Sequence, residues 1–158
     1  MRRPWNIVDQ PVYSLATRQA GRLNMNICTY ATAVSRRPKM YVVALEHGSR
    51  STLNLKKTGE GVLQLLTAGQ RDLIRPLGYR SGNSFDKHAW LADRELLTLW
   101  HGYPVLRDTA ARLWLRVEGI QRAGDHELFC CALVRSTTQT ESGILMFQDL
   151  VQQGLILS

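Results

Sequence analysis

The sequence predicts a mainly β domain of antiparallel strands with short helices, rolled into a small closed or half-closed barrel whose ends the helices cover. Three observations carry that expectation. Two long segments, ARLWLRVEGIQR and HELFCCALVRST, alternate apolar and polar residues at period two around a Gly124–Asp125 turn, the pattern of a β-hairpin. Shorter apolar runs (PVYSLAT, MYVVAL, GVLQLL) are set apart by Gly, Pro and Ser turn signals, as strands are. The segments with helical start and stop signals are few and brief.

Taken in order, Pro11 to Thr17 suits a short strand, and RQAGR turns the chain at Gly21. NMNICTYATAVS, Asn24 to Ser35, is read as its hairpin partner, ending at SRRP and Pro38. Met40 to Leu45 is a strand apolar enough to be buried on both faces. STLNLKKTG reads as a short helix with Ser49 or Ser51 as N-cap and Gly59 as its stop. GVLQLL, Gly61 to Leu66, is a further strand, after which Thr67 caps a helix that runs irregularly through Pro76 to Gly78. Tyr79 to His88 is a polar loop of the kind that carries function. WLADRELLTLWHGYP is expected to be a short helix and irregular chain up to Pro104, and GILMFQDLVQQG a closing helix ending near Gly154.

The 158 residues, 44% hydrophobic and 21% charged, suit one compact domain spanning residues 1–158. No apolar run approaches the roughly 18 residues of a membrane span, and MRRPWNIVDQP lacks the apolar stretch of a secretory signal, so the expectation is a soluble cytoplasmic protein. Cys28, Cys130 and Cys131 have no zinc spacing, and adjacent cysteines in a strand face opposite ways; they read as reduced packing residues. The net charge of +7 is concentrated at the start: the first 58 residues hold ten Lys/Arg against two acids, the rest ten against eleven. Such a basic third attracts phosphorylated ligands or nucleic acid, or is simply a solvated surface.

No HExxH, GxSxG, GxGxxG or GxxxxGK[ST] pattern is present, so metal, acyl-enzyme, Rossmann and P-loop chemistries lose their usual signatures, and no catalytic side chain or metal ligand is expected. Three features remain. Period-two alternation places Ile27, Thr29, Ala31, Ala33 and Ser35 on one face of the hydroxyl-rich strand and Cys28, Tyr30, Thr32 and Val34 on the other. Side chains so small expose backbone groups to a flat polar ligand, or else mark a half-exposed edge strand. GSRSTLN puts Ser49, Arg50, Ser51 and Thr52 at a helix mouth, suited to a phosphate or to ordinary capping. AGDH sets His126 at a hairpin tip, and Ser81, Gly82 and Lys87 lie in the polar loop.

In this order, the segments resemble the flavin reductase-like family, the FMN-binding split barrels, from about Val12 to Ile156. The hydroxyl-rich strand is similar to the family's flavin-cradling segment, and RSTLNLKKTGEGVLQLL to its phosphate turn, helix and strand. LGYRSGNSFDK and RVEGIQRAGDHELFCCALV resemble its polar loop and its Gly-Asp-His hairpin. The resemblance implies an antiparallel split barrel that forms a homodimer with FMN near the interface, FAD being the lesser alternative. It implies that Asn26, Thr29, Tyr30, Ala31, Thr32 and Ala33 line the flavin ring and that Ser49, Arg50, Ser51 and Thr52 hold the phosphate. It brings Gln64, Ser81, Gly82, Lys87 and His126 to the cofactor as well. The activity implied is an oxidoreductase that reduces flavin with NAD(P)H; the alternatives are an FMN-binding electron carrier serving an unidentified redox partner and a nucleic-acid-binding β-barrel. Against the last, the aromatics are dispersed and form no stacking platform.

Overall fold

The computed structural model describes residues 1–156. Among the described residues, nine strands and four α-helices follow one another. The strands are β1 (Tyr13–Gln19), β2 (Arg22–Met25), β3 (Ala31–Arg36), β4 (Lys39–Glu46), β5 (Glu60–Leu65), β6 (Leu97–Trp100), β7 (Tyr103–Leu106), β8 (Ala111–Ala123) and β9 (His126–Thr138). The helices are α1 (Arg50–Thr58), α2 (Ile74–Gly78), α3 (Lys87–Asp93) and α4 (Phe147–Gln152), with a 3-10 segment over Ala68–Leu73. Among the described residues, no helix is long and apolar enough to cross a membrane.

Seven strands form one antiparallel sheet in the order β2-β1-β5-β8-β9-β4-β3. Its two edge strands, β2 and β3, are six positions apart in the sheet yet joined by only Asn26–Tyr30. A flat sheet would separate them by about 29 Å at ~4.8 Å per strand, whereas the connection reaches about 20 Å at most. The sheet must therefore roll. Bulges at Ala33/Ser35, Trp114/Leu115 and Val117/Gly119 supply the extra twist. The roll stays open: β2 and β3 do not pair, and the connection instead bonds to both sides of the gap. Cys28 exchanges backbone hydrogen bonds with Tyr13 at 2.7 and 2.8 Å, and the Ala44 N–H donates to the Tyr30 carbonyl at 2.9 Å. That is the geometry of a split barrel.

Alternation along β1 and β5 feeds two cores. Leu15 and Leu63 point into the barrel with Val43, Leu45, Leu115 and Phe129. Ala16 and Val62 point outward, where α2, α3 and the β6–β7 hairpin cover them with Leu77, Leu91, Tyr103 and Leu106. Each fully buried Leu or Phe contributes about 1.5–3 kcal/mol, so both faces of β5 hold the fold together.

Three sequence expectations need correction. Asn24 to Ser35 is not one strand: the ladder with β1 breaks after Met25, because the chain must cross there from one sheet edge to the other. β4 is fully buried on one face only, at Val43 and Leu45, while Met40 and Val42 on the other face are half-buried. LTLWHGYPVL is a hairpin, not irregular chain, turned by His101 and Gly102 at φ 49° and 77°. Pro104 lies in a two-stranded ribbon, where its missing N–H is tolerated. The long β8–β9 hairpin, the Ser49 cap and the left-handed Gly59 stop (φ 74°) stand as expected.

Candidate functional site

The gap in the barrel opens into a cleft of about 540 Å³, within the range of small-molecule sites. One wall is the crossing segment. There the Leu15 N–H, left without a strand partner, donates to Asn26 Oδ1 at 2.8 Å. This bond fixes the side chain and leaves the Asn26 amide N–H groups for a ligand. Thr29 and Tyr30 follow along the same wall, while Cys28 is buried behind them and burial pushes its thiol up to about 12. It packs as a small apolar side chain, not as a nucleophile.

The mouth of α1 closes one end. Ser49 Oγ accepts the Thr52 N–H at 3.2 Å, and the Leu53 N–H returns to the Ser49 carbonyl at 3.0 Å. The first-turn N–H groups of Arg50 and Ser51 have no partner among the described residues, as helix geometry dictates. Asn24 Nδ2 donates to Ser51 Oγ at 3.1 Å and orients that hydroxyl. The polar loop lies across this mouth, tied down by Asn83 Nδ2 donating to the Gly48 carbonyl at 3.1 Å. Gly82 is in such close approach that a Cβ there would stand 2.1 Å from Asn24 Oδ1 and 2.9 Å from Arg50 Cβ. Only glycine lets the loop meet the helix mouth.

Lys87 opens α3 at the inner side of the loop, 4% exposed, its Nζ donating to the Leu77 carbonyl at 2.7 Å. Burial pushes its amine down to about 8. Asp86 caps the helix by accepting the Ala89 N–H at 3.0 Å and pairs with Arg22 at 2.8 Å; the backbone bond first, then Arg22, holds its carboxyl below the usual range. At the opposite rim His126 stands with its ring centroid 5.5 Å from that of Tyr30 and its Nδ1 2.6 Å from Asp125 Oδ1. Among the described residues the cleft is lined by three cationic side chains, Arg50, Arg80 and Lys87, and one carboxylate, Glu46, a balance that favours an anion.

Of the residues singled out in the sequence, Asn26, Thr29, Tyr30, Ser49, Arg50, Ser51, Ser81, Gly82, Lys87 and His126 line this one cleft. Five lie elsewhere. Ala31, Thr32 and Ala33 pair with β4 on the open sheet edge, past the point where the chain leaves the cleft. Thr52 is fully buried, its hydroxyl donating to the Glu46 carbonyl at 2.7 Å as part of the cap. Gln64 points into the outer core, where its Oε1 accepts the Leu106 N–H at 2.6 Å. The cleft also takes in Asn24, His47, Tyr79, Arg80 and Asn83. Asn24 and Asn26, two amides at i, i+2 in an otherwise apolar stretch, are the signal that could have revealed this wall.

The model of the flavin reductase like domain matches residues 1–154, all but the end of the chain. The chain belongs to that family. No curated relative matches it by sequence. Among solved structures, an FMN-binding protein from Thermus thermophilus with bound p-hydroxybenzaldehyde superposes with a TM-score of 0.81 at 21% identity, over 93% of this chain and 86% of that one. The flavin reductase of the styrene monooxygenase from Pseudomonas putida S12 gives 0.75 at 21%, over 89% and 86%. The flavin reductase component of a bacterial two-component tryptophan halogenase gives 0.79 at 18%, again over 89% and 86%. At such identities these likenesses speak for the fold; the split barrel of this flavin reductase-like chain is theirs.

The cleft fits a phosphorylated flavin. Its cationic end offers unpaired N–H groups and a guanidinium to a phosphate, and its wall offers the spare amide of Asn26 and the hydroxyl of Thr29 to a flat polar ring. The close approach at Gly82 shapes the join between the two.

Proposed function

We propose that this flavin reductase-like chain binds FMN in the cleft and reduces it with NAD(P)H. The observation that carries this reading is the union, in one cleft, of an anion-binding helix mouth with a wall of small polar residues. In it, the two free N–H groups of α1 and the Arg50 guanidinium receive the phosphate, with Lys87 adding positive charge from the inner side. Asn26 and Thr29 orient the ring's polar edge, and Tyr30 and His126 bound the face on which a donor approaches. When bound, the flavin supplies the hydride and electron chemistry. No side-chain acid or base is required of the protein for that chemistry.

The reading includes a homodimer. Met40, Val42, Cys130, Ala132 and Leu128 form a half-buried apolar outer face on β4 and β9, next to β3, the edge strand of the sheet. A second copy laid on this face would bring its own surface to Ala31, Thr32 and Ala33, next to the cleft. Sedimentation of the wild type as a dimer and of Val42→Glu as a monomer is the expected result; a monomeric wild type refutes it.

The purified protein tests the cofactor directly. Yellow protein that releases FMN on denaturation, and that bleaches with NADH or NADPH under anaerobic conditions, is the expected outcome. FMN release without bleaching identifies an electron carrier fed by a protein partner. Release of FAD replaces the cofactor, and a colourless protein that FMN does not stabilise overturns the proposal.

A further inference from the structure

A second chamber of about 290 Å³ lies behind the polar loop, at the small end of the range for small-molecule sites. Gln19, Leu23, Asn54 and Phe85 line this chamber and not the cleft, whereas Asn24, Arg50, Gly82, Asn83 and Lys87 line both. The shared residues are therefore the wall between the two spaces. That wall is closed where Gly82 meets Asn24 Oδ1 and Arg50 Cβ, too near to admit even a methyl group. Asn54 is the most deeply buried of the chamber's polar side chains, 2% exposed. Its Nδ2 donates to Thr17 Oγ1 at 3.1 Å, and its Oδ1 has no partner among the described residues. A buried carbonyl oxygen without a donor is destabilising, and a hydroxyl or amino group entering the chamber would supply one.

The loop is held to its wall position by Asn83. Residues 80–85 bond mainly to one another: Ser81 Oγ accepts the Asn83 N–H at 3.2 Å, and the Ser81 carbonyl accepts the Phe85 N–H at 2.9 Å. The Arg80 guanidinium lies 4.4 Å from the centre of the Phe85 ring. Among the described residues, the one hydrogen bond from this stretch to the segment that opens α1 runs from Asn83 Nδ2 to the Gly48 carbonyl, at 3.1 Å.

We infer that Asn83 is a positioning residue that sets the length of the nucleotide the protein accepts. With its bond to Gly48 made, the wall stands directly behind the mouth of α1. A phosphate monoester ends there and is satisfied by the free N–H groups and Arg50. A dinucleotide must carry its second phosphate and its nucleoside onward, into the contact between Gly82 and Asn24. With the bond released, the loop moves as one piece and the cleft joins the chamber. The chamber then takes an adenosine, whose ribose hydroxyls or amino group can donate to Asn54 Oδ1. The selection of FMN over FAD rests on the flavin reading of the cleft; the chamber's capacity for an adenosine phosphate does not.

Two titrations of the full chain keep these apart, and Asn83 is exposed, so replacing it leaves the core intact. In the first, wild type binds FMN at least about tenfold more tightly than FAD, and Asn83→Ala narrows that gap by at least about tenfold through a gain in FAD affinity. A merely structural Asn83 would weaken both flavins alike. That result, or a wild type that binds the two equally, overturns the inference. The second uses 5′-AMP without flavin, followed by calorimetry. Asn83→Ala binds it at least about tenfold more tightly than wild type, and adding Gln19→Trp, which fills the chamber from a residue outside the cleft, cancels the gain. An AMP gain that is missing, or that survives Gln19→Trp, overturns the inference whatever the cleft binds. A gain that Gln19→Trp cancels, in a protein that binds neither flavin, leaves the chamber standing and refutes the cofactor reading alone.

Discussion

Gln64 and Leu106 are joined side chain to backbone: the Gln64 Oε1 accepts the Leu106 N–H at 2.6 Å, while the Leu106 carbonyl accepts from Arg112 Nη2 at 2.8 Å. Neighbours on β5 and β8 thus take both polar groups of one β7 residue and fasten the β6–β7 hairpin over the outer core. Gln64→Leu leaves a buried N–H without an acceptor, at a cost of about 1–3 kcal/mol. Urea unfolding should show that loss while the FMN dissociation constant stays within twofold. A tenfold weaker FMN complex with unchanged stability would put Gln64 back among the ligands.

Arg50 is the first residue of α1 and lies at its mouth. Arg50→Ala removes a charge-assisted contact worth about 1.5–3 kcal/mol, a loss of roughly 10- to 150-fold in FMN affinity. Flavin fluorescence titration measures it, and riboflavin, which lacks the phosphate, should bind both proteins alike. Equal FMN affinity in the two proteins removes Arg50 from the phosphate site.

Gly82 has no room for a side chain. In Gly82→Ala the new methyl meets Asn24 Oδ1 and Arg50 Cβ, so the loop must lift or Asn24 must abandon Ser51. Overpacking of this kind costs about 1–3 kcal/mol. Here it falls on the cleft, and FMN affinity should drop at least about tenfold, with a thermal midpoint only a few degrees lower. Unaltered binding would show that the loop's closeness to α1 is irrelevant to the ligand.

Lys87 gives a pH signature. Its amine titrates at about 8 in the fold against 10.5 when free, so between those values the unfolded chain holds a proton that the folded chain lacks. Stability attributable to Lys87 therefore rises from about pH 8 to 10.5 and is lowest, with the buried charge in place, below pH 8. Cys28 and Cys131, both pushed up to about 12, act in the opposite direction above pH 9. The readout is accordingly the difference between wild type and Lys87→Met in urea titrations: the variant should be the more stable below pH 8, with the gap narrowing as the pH rises. A gap that is constant across this range contradicts a depressed amine.

Much of this architecture is written locally. The β8–β9 hairpin follows from alternation around Gly124–Asp125, and α1 from Ser49 and Gly59, since each signal needs only neighbours in sequence. What local pattern leaves open is where a chain must leave one ladder to reach another. Nothing in NMNICTYATAV marks Asn26–Tyr30 as a crossing, because the need to cross arises from the rolled sheet, so Ala31, Thr32 and Ala33 read as cleft residues while they lie on the edge. Gln64 misleads for a related reason: a polar residue on a buried strand signals a ligand or a backbone partner alike, and its partner is 42 residues away. The resemblance placed the cleft, and packing decided which residues reach it.

The crossing segment also ties the two sides of the cleft together. Asn26–Tyr30 is buckled to β1 through Cys28 and to β4 through Tyr30, so the cleft exists only while both fastenings hold. Neither strand offers the other a ladder there, and the hydrogen bonds of Cys28 and Ala44 are the backbone fastenings of that seam. A molecule lodged in the cleft spans that seam like a rivet. Occupancy and barrel integrity are thereby one equilibrium, with stability growing by RT ln(1 + [L]/Kd) as ligand is added. The interior core keeps the sheet rolled, and the five-residue crossing keeps its gap in the shape of a cleft.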